Sequence, residues 1–238
     1  MSTNKEPISL KENVSKPIYS FTPFTLLDYP NKSACILWFA GCNMRCLYCY
    51  NPEIVLGKGS LSFGKILEFL NSRKNLLDAV VFSGGECLLH KKIISLIEEV
   101  KKMGFLVKID TNGSSPKIMQ ELLNQEIIDY VALDYKAPKP KFNTITQSDL
   151  FDTFEKTLDL LLEANIPFEV RTTYHSDLLS EVDLETMIRF LESKNYNGNY
   201  YLQYFKNNVE TLSKLEHSNN SIDFGKLSTR TIQIILRE

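Results

Sequence analysis

The chain has 238 residues, a length that allows one large domain or two small ones with a buried core. Hydrophobic residues make up 43% of the sequence and charged residues 24%, and the net charge is −2. No apolar run reaches about eighteen residues, which excludes a transmembrane helix. The slightly negative net charge argues against a basic nucleic-acid-binding surface.

The first segment, residues 1–17, is polar and lacks the apolar core of a signal peptide. We expect it to form a flexible N-terminal arm ahead of a single domain over residues 18–238. The chain contains five cysteines, an odd number, and three of them stand close together. This usage argues against a disulfide framework and predicts a protein of the reducing cytoplasm. Together with the charge and hydropathy, it predicts neither a membrane nor a nucleic acid as a partner.

Two prolines, Pro23 and Pro30, argue against a long helix over residues 18–30, so we expect an extended segment or a short hairpin there. The apolar run from Ser33 to Phe39 follows, and it is short and bounded by turn residues. This pattern predicts a strand that is buried on both faces, as in a parallel sheet.

Predicted strands and helices alternate along the rest of the chain. Apolar runs predict further strands over residues 78–82, 105–109, 130–133, 168–172 and 200–205. Helical spacing predicts helices from about residue 62, over residues 90–103, from residue 115, over residues 149–164 and around residues 184–191. We expect loops over residues 138–146 and 206–228, and residues 231–236 are a candidate last strand.

About six strand–helix repeats of this kind indicate βαβ units and a parallel α/β sheet. A complete eightfold barrel takes about 250 residues, so six repeats in this length predict an incomplete (β/α)6 barrel, similar to part of a TIM barrel. No linker rich in glycine, proline or serine divides the chain, which favours a single domain. A doubly wound flat sheet is the alternative, because periodicity does not separate the two folds.

Three cysteines, Cys42, Cys46 and Cys49, stand in a C-x3-C-x2-C spacing directly after the first buried strand. Thiolates this close together are usually metal ligands in a chain without disulfides. Three ligands are one short of a closed zinc or iron–sulfur site, which leaves one coordination position open. We interpret the motif as a [4Fe–4S] cluster whose fourth iron binds a small molecule. The alternatives are unligated cysteines or a zinc site completed by Cys35, Cys87 or a histidine.

Polar residues also mark the ends of the later strands, where ligands bind in parallel α/β folds. These candidates are Gly84, Gly85, Glu86, Asp110, Asp134, Lys136, Arg171 and Gln203. Each one alone is compatible with a turn or a surface ion pair. Together they suit an amino-acid-like ligand, because an acid can accept hydrogen bonds from an ammonium and a base can pair with a carboxylate.

The cysteine motif, with Tyr48 before its last cysteine, and the Gly84-Gly85-Glu86 turn resemble the two signatures of the radical S-adenosylmethionine superfamily. Within it, the chain resembles the anaerobic ribonucleoside-triphosphate reductase activating proteins, which belong to the glycyl-radical-enzyme activating family. That resemblance is carried by residues 25–30, 39–43 and 49–53. Residues 110–113 and 133–136 are similar to pyruvate formate-lyase activating enzymes, and the match covers residues 18–205.

The resemblance implies an oxidoreductase that reductively cleaves S-adenosylmethionine at a [4Fe–4S] cluster held by Cys42, Cys46 and Cys49. The resulting 5′-deoxyadenosyl radical would take a hydrogen atom from a glycine of a partner enzyme, anaerobic ribonucleoside-triphosphate reductase. The electron donor would be a flavodoxin or a ferredoxin. The alternatives are an activator of another glycyl radical enzyme, such as pyruvate formate-lyase, and a small-molecule synthase similar to 7-carboxy-7-deazaguanine synthase.

The resemblance also implies roles in cofactor binding, although it assigns no further catalytic residue in this chain. The implied contacts are Tyr48 near the adenine; Gly84, Gly85 and Glu86 at the methionine amino group; Asp110 and Asp134 near the sulfonium or a cation; and Lys136 and Arg171 at the carboxylate or ribose.

Three positions depart from the family's pattern. Cys87 replaces a proline after the Gly-Gly-Glu turn, and we expect it to act as a small buried hydrophobic residue. Tyr50 stands where histidine is frequent, and Gln203 lies where pyruvate formate-lyase activators carry a histidine. His175 follows a predicted strand, so we expect it near the rim, where it is a candidate ligand contact.

Overall fold

The computed structural model describes residues 16–219 and 222–237. Most of the predicted arm, residues 1–17, lies outside these ranges, so the arm and the domain boundaries stay predictions. In the described residues no helix is long and apolar enough to cross a membrane. The longest helices that they form have 13 residues.

The described residues form one sheet of eight strands that follow one another in sequence order. The strands are β1 Ile18–Thr25, β2 Ala34–Phe39, β3 Ala79–Gly84, β4 Leu106–Thr111, β5 Tyr130–Asp134, β6 Phe168–Tyr174, β7 Gly198–Tyr204 and β8 Ile232–Arg237. β1 is antiparallel to β2, and every later pair of neighbours is parallel. Parallel strands need crossover connections, and helices supply most of them.

The helices are α1 Pro52–Leu56, α2 Phe63–Asn71, α3 Ile93–Lys102, α4 Pro116–Asn124, α5 Lys139–Thr146, α6 Phe151–Glu163 and α7 Glu181–Ser193. Local sequence explains several of their ends. Ser62 caps α2 by accepting a hydrogen bond from the Lys65 amide, and Ser180 and Asp183 form a capping box at α7. Gly104 follows α3 with a positive φ of 91°, as expected just after a helix.

The strand order separates the two folds that periodicity left open. In a doubly wound sheet the order reverses at a switch point, whereas here each strand pairs with the next along the chain. The predicted α/β fold, an incomplete barrel, is therefore confirmed. The six predicted βα units correspond to β2 to β7, and β1 and β8 extend the sheet at its two edges.

The apolar run of β2 is continuous because both of its faces are buried. Cys35, Leu37 and Phe39 alternate toward the main core, which contains the helices. Ala34 and Ile36 point to the opposite face, the barrel interior, where they join a smaller cluster with Tyr29, Ala79 and Val81.

The prediction of a loop over residues 138–146 is wrong, because α5 occupies most of that segment. Prolines there argue against a helix only in its interior. Pro140 lies in the first turn of α5, where its missing amide hydrogen has no partner to lose. Phe142 and Ile145, three residues apart, bury the inner face of the helix. The short helix α1 was not predicted, and it likewise begins with a proline, Pro52.

Candidate functional site

The three motif cysteines lie in the cysteine loop, residues 41–51, which follows the carboxyl end of β2. Its backbone is bound on one side by the end of α5. The Arg45 amide donates to the Thr146 carbonyl at 2.8 Å, and the Leu47 amide donates to the Ile145 carbonyl at 3.0 Å. The helix that sequence analysis missed therefore helps to position the loop.

The other side of the cysteine loop is bound by the segment after β7. The Leu212 amide donates to the Cys49 carbonyl at 3.2 Å. Tyr50 stacks on Phe205 with ring centroids 5.3 Å apart, and its hydroxyl accepts the Lys206 amide at 2.7 Å. Tyr50, which departs from the family's frequent histidine, thus ties the loop to the segment that follows β7.

The thiols of the loop are partly withdrawn from solvent. Burial raises the pKa of the Cys42 thiol and raises that of Cys46 to about 12. The Cys42 sulfur accepts the Met44 amide at 3.4 Å and lies 3.7 Å from the side-chain nitrogen of Asn112. Since metals bind the thiolate form, loading a metal here must release protons.

No three His, Cys, Asp or Glu side chains within residues 16–219 and 222–237 are arranged to hold a single metal ion. A tetrahedral zinc ion with Zn–S bonds of about 2.3 Å needs its sulfurs within roughly 4 Å of one another. A [4Fe–4S] cluster binds each thiolate to a different iron, so its three cysteines need not converge on a single metal ion. The assignment of the three cysteines to a cluster stays a prediction.

The Gly84-Gly85 turn is required by the backbone of the chain itself. Gly84 has a φ of 116°, and a Cβ there would lie 2.2 Å from the Phe39 nitrogen. A Cβ on Gly85 would lie 1.9 Å from the Gly41 carbonyl oxygen. Two glycines thus let the end of β3 pack against the start of the cysteine loop. Their predicted contact with a ligand amino group stays a prediction.

Glu86 joins the end of β3 to the end of β4. Its fully buried carboxylate accepts the Leu88 amide at 3.1 Å, the Thr111 hydroxyl at 2.9 Å and the Asn112 amide at 2.7 Å. Burial raises the pKa of this carboxyl to about 7. Because three groups of the chain already bind the carboxylate, Glu86 positions residues 110–113 at the end of β4. Its predicted contact with an ammonium stays a prediction.

Four of the predicted candidates meet inside the barrel. Arg171 bridges Asp110, at 3.2 Å, and Asp134, while Lys136 pairs with Asp134 at 3.0 Å and Lys108 pairs with Asp110 at 2.8 Å. Although burial opposes it, the Arg171 guanidinium holds the pKa of both carboxyls below their usual range. This charged network contains three cations and two carboxylates, so it has a net positive charge.

A second ion pair lies beside the charged network. Arg237 on β8 donates to both carboxylate oxygens of Glu169 on β6, at 2.8 and 2.9 Å, and its guanidinium covers the Tyr201 ring at 4.1 Å. The Tyr130 hydroxyl donates to the same carboxylate at 3.0 Å. The pair connects two strands across β7 and stabilises the edge of the sheet.

Tyr48 lies next to the cysteine loop's last ligand candidate and is 4% exposed. Its buried hydroxyl has no hydrogen-bond partner in the described part of the chain. The Lys136 ammonium lies 6.0 Å from the centre of the Tyr48 ring. A buried unpaired hydroxyl is costly unless a ligand completes it, so this side chain fits the predicted place beside the adenine.

His175 and Cys87 have structural partners. The Asp177 amide donates to Nδ1 of His175 at 3.2 Å, so Nε2 carries the hydrogen that is donated to the Glu216 carbonyl at 3.1 Å. His175 is fully buried with both nitrogens used, which removes it as a ligand candidate. Cys87 is also fully buried, as expected, with its sulfur 3.5 Å from the Asp110 carbonyl oxygen.

Sequence analysis missed two polar residues of the site, Lys108 and Arg45, and it placed Asn112 at the end of a strand without a role of its own. Lys108 stands two positions before Asp110 in a strand, so both share one face, and this spacing could have revealed the pair. Asn112 and Arg45 act through contacts with the cysteine loop that depend on the fold.

A model of the radical SAM superfamily matches residues 36–193, which are two thirds of the chain and run from within β2 to beyond β6. The chain belongs to the radical SAM superfamily. Membership confirms the predicted class, an enzyme that acts by radical chemistry, and the two predicted cofactors, a [4Fe–4S] cluster and S-adenosylmethionine.

Two relatives make the likeness more specific. The chain is 34% identical over 173 residues to a protein of Methanocaldococcus jannaschii whose name places it among glycyl-radical enzyme activating enzymes, covering 68% of this chain and 70% of that one. It is 33% identical over 126 residues to the pyruvate formate-lyase-activating enzyme of Clostridium pasteurianum. That match covers 50% of this chain and 52% of the clostridial enzyme.

Solved structures show the same fold at low sequence identity. Streptococcus suis SuiB bound to S-adenosylmethionine matches with a TM-score of 0.67 and 14% identity, over 85% of this chain and 52% of that one. The anSMEcpe structure with bound AdoMet matches with a TM-score of 0.57 and 19% identity, over 78% and 52%. The chain thus spans about half the length of these two proteins.

Proposed function

We propose that this radical SAM protein generates a glycyl radical on a partner enzyme, and that the partner is an anaerobic ribonucleoside-triphosphate reductase. The observation that carries the proposal is the 34% identity to the Methanocaldococcus jannaschii activating enzyme over 70% of its length. The choice of reductase rests on the resemblance of residues 25–30, 39–43 and 49–53 to activating proteins of that class.

In this proposal Cys42, Cys46 and Cys49 bind the cluster as thiolates. When bound together, the cluster and S-adenosylmethionine supply the 5′-deoxyadenosyl radical that takes a hydrogen atom from a glycine. Three protein ligands leave the fourth iron open to a small molecule. All five cysteines are free thiols, in keeping with a reducing cytoplasm, where a flavodoxin or a ferredoxin is the proposed electron donor.

The charged network is the proposed site for the polar groups of S-adenosylmethionine. Its net positive charge favours binding of the ligand's carboxylate. Lys136 and Arg171 are the proposed hydrogen-bond donors to that carboxylate. Asp110 and Asp134 keep these cations in place and keep the local charge low enough for a sulfonium to approach. Tyr48 offers its unpaired hydroxyl at the edge of the same space.

The partner can be tested with the reconstituted protein, a reductant, S-adenosylmethionine and the purified reductase of the same genome, under anaerobic conditions. We expect a glycyl radical signal in the EPR spectrum of the reductase, with one 5′-deoxyadenosine formed per radical. Glycine deuterated at Cα in the reductase should transfer deuterium to the 5′-deoxyadenosine. Protein in which Cys46 is replaced by alanine, Cys46→Ala, is the matched control and should give neither product.

A second candidate partner is a pyruvate formate-lyase, favoured by the 33% identity to the clostridial activating enzyme. The same assay with that substrate protein separates the two partners, since only the true one should acquire the radical at a useful rate. Cleavage of S-adenosylmethionine without a radical on either protein would contradict both assignments and favour a small-molecule synthase.

A further inference from the structure

Arg45, between the first two cysteines of the motif, folds back onto the cysteine loop. Its Nη1 donates to the carbonyl oxygens of Cys42 and Met44, at 2.7 and 2.8 Å. Its own amide donates to the Thr146 carbonyl at 2.8 Å. An exposed arginine usually extends into water, so this arrangement restrains a long side chain against the backbone that carries the thiols.

These contacts orient the peptide groups of the C-x3-C segment. The two carbonyls that Arg45 binds belong to the peptide groups on either side of the one between Asn43 and Met44. The amide of that central peptide group donates to the Cys42 sulfur at 3.4 Å. With the neighbouring carbonyls held by the guanidinium, the amide remains directed at the sulfur. Hydrogen bonds to ligand sulfurs are one of the factors that set the reduction potential of an iron–sulfur cluster.

The charge of Arg45 acts in the same direction. None of the ion pairs formed by residues 16–219 and 222–237 includes Arg45, so no carboxylate there neutralises it. A [4Fe–4S] core with three thiolate ligands is negatively charged, and reduction adds one more negative charge. A fixed cation nearby stabilises the reduced form more than the oxidised form.

We propose that Arg45 is a positioning residue that raises the reduction potential of the cluster, through its charge and by directing the Met44 amide at the Cys42 sulfur. The proposal rests on the family's cofactors and on the three cysteines, and it is independent of which partner receives the radical. The side-chain hydrogen bonds of Arg45 go to backbone carbonyls of the cysteine loop, so it acts on the cluster through the loop and through space.

Two substitutions separate the contributions of charge and geometry. Arg45→Lys keeps the positive charge and loses the guanidinium that spans two carbonyls, whereas Arg45→Gln loses the charge. EPR-monitored potentiometric titration of the reconstituted variants measures the potential of loaded clusters only, so a lower cluster content does not affect the result. At a fixed solution potential, we expect the ratio of reduced to oxidised cluster to be about tenfold lower in Arg45→Gln, since loss of a nearby unit charge changes such an equilibrium by roughly that factor.

Arg45→Lys should fall between the wild type and Arg45→Gln. The matched control is Arg189→Gln, which removes one exposed positive charge from α7, where Arg189 pairs with Glu185. It should leave the potential unchanged. The proposal is overturned if both Arg45 variants titrate like the wild type, or if Arg189→Gln shifts the potential as much as Arg45→Gln.

Discussion

The two sides of the barrel interior differ in chemistry, although their strands alternate in the same way. On β2 and β3 most inward residues are apolar, namely Ala34, Ile36, Ala79 and Val81. Ser83 at the end of β3 is an exception, and its hydroxyl donates to Asp110 at 3.2 Å. On β4 to β6 the inward residues include Lys108, Asp110, Asp134, Glu169 and Arg171, all of which are in ion pairs. A buried charge destabilises a fold unless it is paired, so the charged side depends on its ion pairs. The apolar side needs no such pairing, and its strand β2 leads directly into the cysteine loop.

The largest expected effect concerns the cysteine loop, which follows β2 on the apolar side. Replacing any one motif cysteine, as in Cys46→Ala, should abolish stable loading of the cluster, because two thiolates leave two irons open to exchange. The measurement is iron and sulfide content after anaerobic reconstitution, together with visible absorption.

Cys35 and Cys87 are the matched controls for this loss. Both are fully buried and have ordinary neighbours in the core. Cys35→Ala and Cys87→Ala should load as much iron as the wild type after correction for folded protein. A full cluster in Cys46→Ala, or its loss in Cys87→Ala, would contradict the assignment of ligands.

The next effect tests the charged side. Among the described residues, Arg237→Met leaves the buried Glu169 carboxylate with the Tyr130 hydroxyl as its side-chain hydrogen-bond donor. This loss should lower the free energy of unfolding by about 4 kcal/mol. Ile36→Val, on the apolar side, should cost only about 1 kcal/mol. Urea denaturation measures the free energy of unfolding of both variants. Equal losses in Arg237→Met and Ile36→Val would contradict the claim that the charged side depends on its ion pairs.

The Arg237 effect should depend on pH. Although burial opposes it, Arg237 lowers the pKa of Glu169 from its ordinary value of 4.5. The native state therefore binds fewer protons than the unfolded state around that pH, so the pair stabilises the fold above pH 4.5 and loses this effect as the pH falls through the native value. The difference between wild type and Arg237→Met should shrink in acid.

Glu86 connects the two sides, and its titration has the opposite sign. Burial raises its pKa from 4.5 to about 7, so the native state binds more protons than the unfolded state between these values. The free energy of unfolding should fall by about 3 kcal/mol as the pH rises across this window. Denaturation at pH 5 and pH 8 measures it, and Glu86→Gln, which cannot titrate, should lose this dependence. If the wild type and Glu86→Gln showed the same pH dependence of unfolding, a group other than Glu86 would be responsible for it.

The smallest effect concerns the contact between the cysteine loop and the segment after β7. Tyr50→Phe keeps the ring that stacks on Phe205 and removes the hydroxyl that accepts the Lys206 amide. We expect a loss of about 1 kcal/mol and faster hydrogen exchange at the Lys206 amide. Tyr50→Ala also removes the stacking on Phe205, so its loss of stability should be larger than that of Tyr50→Phe. Unchanged exchange at Lys206 in both variants would show that the contact does not hold the segment.

Sequence patterns predicted the features that depend on local spacing. The apolar run of β2, the cysteine motif and the polar ends of β3 to β6 are all encoded within short stretches, and parallel strands bring such ends together. Lys108 was missed because it lies inside an apolar strand, although its spacing from Asp110 was a usable signal.

The remaining features depend on distant partners. Nothing near His175 in the sequence indicates that the Glu216 carbonyl will bind it, and nothing near Glu86 indicates the donors from Thr111 and Asn112. The helix α5 was missed because prolines flank its start and because only two of its buried residues, Phe142 and Ile145, are apolar and show helical spacing. Such contacts are fixed by the fold, and no local pattern encodes them.

The most direct test of the account is EPR spectroscopy of the anaerobically reconstituted and reduced protein, with and without S-adenosylmethionine. We predict a [4Fe–4S] signal that changes when S-adenosylmethionine is added, together with formation of 5′-deoxyadenosine, because Cys42, Cys46 and Cys49 leave one iron open. A colourless protein with about one zinc, or a cluster whose spectrum ignores S-adenosylmethionine, would contradict the central claim.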